Sequence, residues 1–228
     1  MMIVPENSDL YQENKSLGCL YTPEELERIF YLFSLKWPFP KGELYYVNHY
    51  TLIIAVLLSA QSTDINVNKA TKYLFEIADT PQKMLAIGEQ KLQNYIKTIG
   101  IYRIKAQNII SLSHILLNEF DNKIPQTREG LMRFPGIGRK GANVILSMAF
   151  GRPTIGVDTH IFRISNRIGL APGKTPNKVE QSLLRIIPQK HQYNAHYWLV
   201  LHGRYVCKAR KPQCQSCVIS NICKRTPK

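Results

Sequence analysis

The residues Phe134-Pro135-Gly136-Ile137-Gly138-Arg139-Lys140-Gly141-Ala142 decide how the chain is read, because they join two helical segments through a tight turn. Pro135 stops the segment before it, and Gly136 and Gly138 let the backbone turn sharply and come close to a ligand. The next helix starts near Arg139, so its first N–H groups point out of the hairpin. Together these make a concave anion site suited to a DNA phosphate, alone or assisted by a monovalent cation. A Gly-x-Gly turn also joins helices that bind nothing, and on this stretch by itself the two readings stand level.

Outward from the hairpin the signals are helical. Thr22-Pro23-Glu24-Glu25 is a capping box with proline at the first helical position, opening a helix that ends before Pro38. The Pro/Gly-rich stretch 38–42 separates this arm from the rest. Tyr50 to Ala60 is apolar all round and reads as a buried helix. Thr80-Pro81 opens a helix that closes near Gly88, and Lys91 to Thr98 ends at a C-terminal glycine, Gly100. From Arg103 to Phe120 the residues Ile104, Ile109, Ile110, Leu112, Ile115, Leu116 and Phe120 keep helical periodicity. No stretch alternates with period two between hairpin turns. The expected class is all-α.

Four cysteines, Cys207, Cys214, Cys217 and Cys223, follow the pattern C-x6-C-x2-C-x5-C. Zinc sites usually use two short paired spacings, and this run has only one C-x2-C. Four thiolates from one loop-rich segment suit an iron–sulfur cluster. Structural zinc and a disulfide framework are the alternatives. The odd count of five cysteines and the absence of a visible secretory signal weigh against disulfides. Cys19 reads as a small buried side chain.

The 228 residues are 44% hydrophobic and 20% charged, a folded composition. The longest apolar run, Leu52 to Leu58, is far too short to span a bilayer. The formal net charge of +14 is uneven: residues 1–40 carry −3, and Leu201 to Lys228 hold seven Lys or Arg and no acid. Such a field attracts polyanions. DNA, RNA and anionic membrane all fit it.

Two residues can carry chemistry. Lys140 falls in the first turn of its helix, where Arg139 and the helix N-terminus favour the neutral amine, the form that attacks carbon. A plain phosphate contact explains Lys140 equally, as it does Arg139. Asp158, in Gly156-Val157-Asp158-Thr159-His160-Ile161-Phe162-Arg163, is placed to cap a helix. An ionised carboxylate there can stabilise an oxocarbenium-like transition state, though capping alone is the commoner reading.

Leu57 to Asp64, Phe134 to Ala142, Val157 to Arg163, Leu201-His202-Gly203-Arg204-Tyr205 and the four cysteines together resemble the endonuclease III family, bifunctional DNA glycosylases of the helix-hairpin-helix superfamily. The motifs run in family order from about residue 22 to residue 223. The resemblance implies two helical lobes, a six-helix barrel lobe over 42–152 and an iron–sulfur lobe over 153–228 joined by the arm 1–41, with a DNA-binding cleft between them. It implies that Lys140 attacks C1′ of a damaged nucleotide, that Asp158 activates it and stabilises the sugar cation, and that β-elimination then cuts the strand. Gln61 matches the residue that fills the gap left by a flipped base, and Ile101 an apolar wedge on the opposite strand. Gly136, Gly138, Arg139 and Lys140 would hold the DNA, and the four cysteines a [4Fe-4S] cluster. The partner implied is double-stranded DNA with oxidised pyrimidines or abasic sites, met by a monomer in the cytoplasm beside the nucleoid, with no membrane.

Two departures stand out. Gly141 occupies a position where threonine is common in the family, which predicts a looser helix start. The N-terminal extension of about 20 residues carries no motif and is expected to be mobile. Competing readings are an adenine-specific mismatch glycosylase, a thymine-mismatch glycosylase, and a non-catalytic DNA-binding module that uses the cluster as a redox reporter. The first lacks a lysine at the position of Lys140 and carries a further C-terminal domain, whereas this chain has the lysine and ends five residues after Cys223.

Overall fold

Threonine and asparagine caps start most of the helices, as their hydroxyl and amide oxygens can accept the orphan amides of a first turn. The computed structural model describes residues 12 and 14–225, and among these the chain is helical with no strand. Its helices are α1 (Pro23–Lys36), α2 (His49–Ser59), α3 (Asp64–Ile77), α4 (Pro81–Ile96), α5 (Tyr102–Glu119), α6 (Arg128–Leu131), α7 (Arg139–Phe150), α8 (Thr159–Arg167), α9 (Pro176–Ile186) and α10 (Gln192–Leu201). Thr22 accepts from the Glu25 N–H at 3.2 Å while the Glu25 carboxylate accepts from the Thr22 N–H at 2.8 Å, the reciprocal box read from the sequence. Asn48, Thr63, Thr80 and Thr175 cap α2, α3, α4 and α9, each worth about 1 kcal/mol.

The helices form two compact units. Gly42–Arg152 is one; Met1–Lys41 and Pro153–Lys228 together make the other. In the first, every residue of α2 from Tyr50 to Leu58 is buried, because α3, α5 and α7 all pack on it. Its core adds Leu74, Phe75, Ile96, Ile109, Leu112, Leu116 and Phe134. The Tyr50 hydroxyl finds the Ser113 hydroxyl at 2.6 Å, which satisfies both inside that core.

The second unit is centred on Phe30, Phe33, Ile161, Ile164, Leu183, Trp198 and Leu199. The Trp198 indole donates to the Trp37 carbonyl at 2.9 Å, tying α10 to the end of α1. Tyr21 is fully buried; its hydroxyl donates to the Ile168 carbonyl and accepts from the Lys224 N–H, both at 2.9 Å. One side chain thus joins three remote stretches of chain.

Three expectations change. The helix expected to run to Thr98 stops at Ile96, and Gly100 is not its left-handed cap; that conformation belongs to Ile101 (φ 53°, ψ 34°), which leads into α5. Ile104, counted on the apolar face of α5, is 56% exposed, and its neighbour Lys105 is 3% exposed. The left-handed entry rotates the first turn of α5, and Lys105 has polar partners inside that an isoleucine could not serve. The N-terminal extension lies largely outside the described residues. Its last part is packed: Cys19 is buried, as read from the sequence, and the Leu20 N–H donates to the Gly169 carbonyl at 2.9 Å.

Tyr21→Phe removes one donor and one acceptor at a buried junction, at a cost of about 1–3 kcal/mol. Thermal melting followed by circular dichroism is expected to show a midpoint lower by roughly 2–8 °C. An unchanged midpoint would mean that the hydroxyl holds nothing.

Candidate functional site

The hairpin is anchored by what it buries. Phe134 and Ile137 are buried, and Phe134 meets Phe120 edge-on with ring centroids 5.6 Å apart. The Ile137 N–H closes the turn onto the Phe134 carbonyl at 3.0 Å. Gly136 has φ 84°, and a Cβ there would meet the Asn108 amide nitrogen at 2.9 Å and Leu57 at 3.3 Å, so both backbone and space require glycine. Gly138 is the N-cap of α7 and has no side chain to offer its first-turn amides. A phosphate oxygen is the natural acceptor for such a helix start. Gly136, Gly138 and Lys140 are exposed around it, and Arg139 is half-buried.

Despite Gly141, α7 begins at Arg139, with the Ala142 N–H donating to the Gly138 carbonyl at 2.9 Å. The looser helix start expected there is not seen. Gly141 faces Val56 and Ile137, and a Cβ would meet them at 3.4 and 3.7 Å, ordinary contact distances.

Gln61 and Ile101 are both exposed, and both have left-handed backbone, with φ of 56° and 53°. That conformation costs a non-glycine residue about 1 kcal/mol or more and persists only where the surroundings hold it. Gln61 follows the end of α2 and Ile101 precedes α5. Lys105 lies between their backbones: its ammonium donates to the Leu58 and Ala60 carbonyls at 2.9 and 2.6 Å. Sequence reasoning missed this residue, since a lysine in an amphipathic helix carries no mark of being buried.

Asp158 and the cysteines belong to the other unit. Asp158 is half-buried and caps α8, its Oδ1 accepting from the Ile161 N–H at 2.8 Å. Two arginines of α8 grip the segment that begins the cysteine loop. Arg163 donates to the carbonyls of Gly203 and Cys207, and Arg167 to those of Lys208 and Ala209 at 2.6 and 3.0 Å. Arg167 also lies 3.7 Å from the Cys207 sulfur. The chain reaches Cys207 through a π-helical turn, His202–Val206.

All four cysteines line one cavity of about 300 Å³ with Arg167, Ile168, His202, Val206 and Ile219. Among the described residues no three ligand-type side chains converge as they would on a single ion. Four cysteines around one cavity suit a multi-iron cluster, which takes one thiolate on each of its irons. Burial pushes the Cys217 and Cys223 thiols up, and the neighbouring cysteines add to it. Holding them as thiolates therefore requires compensating positive charge, which iron supplies. Burial pulls the His202 imidazole down to about 4, so it is neutral near pH 7. Its Nε2 lies 3.9 Å from the Cys217 sulfur, and its Nδ1 has no partner among the described residues. An N–H on Nε2 pointing at the sulfur fits both facts.

Residues 54–189 match the family model described as HhH-GPD superfamily base excision DNA repair protein, and residues 207–223 match the iron-sulfur binding domain of endonuclease III. The chain is 54% identical over 198 residues to endonuclease III of Rickettsia conorii, covering 87% of this chain and 94% of that one. It is 52% identical over 186 residues to endonuclease III of Escherichia coli K12, covering 82% and 88%. A solved trapped covalent endonuclease III–DNA intermediate aligns with TM-score 0.83 at 40% identity, over 90% of this chain and 97% of that one. A thermostable thymine-DNA glycosylase shares the fold at TM-score 0.78 and 19% identity.

Cys214→Ala is expected to lower the iron content of the purified chain and bleach its visible absorbance, with Cys19→Ala as the control that changes neither. Iron equal to that of the parent would remove Cys214 from the ligand set.

Proposed function

Because the chain belongs to the endonuclease III family of base-excision DNA repair proteins, we propose that Lys140 and Asp158 carry its chemistry and that oxidised pyrimidines are its substrates. The protein is a DNA glycosylase with associated abasic-site lyase activity, and it carries a [4Fe-4S] cluster. The observation that carries the assignment of Lys140 is its place: exposed, in the first turn of α7, directly behind a glycine N-cap in a glycine hairpin.

In this reading the hairpin holds a backbone phosphate and reads no base, which lets it scan DNA of any sequence. The neutral Lys140 amine attacks C1′ of the damaged nucleotide. The N-glycosidic bond breaks, and the base leaves with the bonding electron pair and takes up a proton; the C1′–O4′ bond then opens, O4′ taking its electron pair and a proton, as the nitrogen lone pair forms the protonated imine. The Asp158 carboxylate, fixed by its cap bond, faces the developing positive charge on the sugar. Removal of a C2′ proton then expels the 3′ phosphate by β-elimination, and water frees the lysine. Gln61 occupies the space left by the flipped base and Ile101 wedges the opposite strand, at an unstacking cost that is least for damaged pairs.

The cysteines Cys207, Cys214, Cys217 and Cys223 hold the cluster, which supplies a fixed scaffold for the basic segment around it. The remaining parts of the reading are a monomer acting in the cytoplasm beside the nucleoid. No helix among the described residues is long and apolar enough to cross a membrane.

Borohydride trapping on a duplex with one thymine glycol tests the core of this reading. A covalent adduct is expected from the parent and none from Lys140→Ala, which should still bind the duplex. No adduct from cluster-loaded parent protein, on this duplex or an abasic one, would leave Lys140 a phosphate contact and favour the non-catalytic module. Asp158→Asn keeps a good N-cap and removes the charge, so base removal should fall by roughly 10²–10³-fold with little loss of binding. Equal losses of both would mean that Asp158 is only a cap.

A further inference from the structure

We propose that Lys105 is a positioning residue that clamps the Gln61 and Ile101 turns to each other, setting both for insertion into DNA. The proposal rests on the reading of Gln61 and Ile101 as the residues that enter the helix, and extends it to a side chain that never touches DNA.

The argument starts at the end of α2. That helix is buried from Tyr50 to Leu58, and its last carbonyls have no partner further along the helix. The Lys105 ammonium supplies the donors, at 2.9 Å to Leu58 and 2.6 Å to Ala60, the residue directly before Gln61. The Lys105 backbone N–H donates to the Ile101 carbonyl at 3.1 Å. The ammonium therefore ties the end of α2 to the first turn of α5, the helix that Ile101 opens; the backbone bond from Lys105 to Ile101 is the ordinary first bond of that helix.

Nothing else explains a lysine here. It is 3% exposed, and among the described residues no carboxylate pairs with it. A buried cation with no acid is costly unless its protons are used and its charge is met. The negative end of α2 meets the charge, and the Leu58 and Ala60 carbonyls take two of its three N–H donors. Burial pulls its pKa down, so the hydrogen bonds work against a real desolvation cost. The two turns it holds are also where non-glycine residues take left-handed backbone and stay exposed. A clamp behind two strained, exposed tips is what insertion into a base stack needs, because a tip that relaxed would lose its aim.

The test is a double-mutant cycle on the cluster-loaded protein, with single-turnover release of thymine glycol and cleavage of a preformed abasic site as paired readouts. Lys105→Met keeps length and apolar volume but donates nothing. It is expected to slow base release roughly tenfold and to affect abasic cleavage less, since that site flips at lower cost. Gln61→Ala alone should slow base release, and adding Lys105→Met to a variant that carries both Gln61→Ala and Ile101→Ala should slow it further by no more than about twofold. Multiplying losses would overturn the clamp and leave the reading of Gln61 standing. A Gln61→Ala variant as fast as the parent would overturn both. Circular dichroism checks folding first; where Lys105→Met does not fold, Lys105→Gln is read in the same cycle, and failure of both to fold would make Lys105 a folding residue and end the proposal.

Discussion

A helix buried on every side has to end somewhere, and its last carbonyls must find donors there. In this chain α2 is that helix, and the unit Gly42–Arg152 is arranged around its burial and its end. Three helices cover its flanks, which fixes where α5 and α7 run. Its C-terminal carbonyls draw in Lys105, which brings the start of α5 beside the turn that follows α2. The hairpin glycine Gly136 sits within touching distance of Leu57 of the same helix and of Asn108 on α5. The exposed turn after α2 and the glycine hairpin are thus mounted on the most buried helix of their unit, which gives them rigidity.

The second unit solves a different problem with one helix. α8 presents Asp158 at its N-terminus and the guanidinium groups of Arg163 and Arg167 further along. Those groups bind the backbone where the cysteine loop begins, so that loop and the capping carboxylate of Asp158 share one rigid rod. The sulfurs are partly buried and would repel one another as thiolates. The iron of a bound cluster would offset that penalty. A bound cluster would then have a clear physical role: it would stiffen a short, proline-containing, helix-poor segment.

Much of this was legible in residue order. Thr22 with Glu25, the all-apolar run of α2, Asp158 before its helix and the cysteine spacing are local signals, and each produced the local structure it announced. Gly100 was the residue best suited to left-handed backbone, yet Ile101 adopts it. Ile104 fitted the apolar stripe of α5, yet Lys105 is the buried one. For Lys105 the end of another helix, α2, outweighed the local pattern, which a single segment cannot foresee; nothing in the structure explains why Ile101 and not Gly100 takes the left-handed backbone.

By itself, then, the sequence determined the class of fold, the capping boxes, the glycine hairpin between helices, the cysteine spacing and the family, because each rests on spacing along one stretch of chain. Tertiary structure alone decided which lysine is buried, which turns are strained, and which arginines bind the cysteine loop. Those depend on burial and on donors meeting acceptors from distant segments, and neither is encoded at any one position.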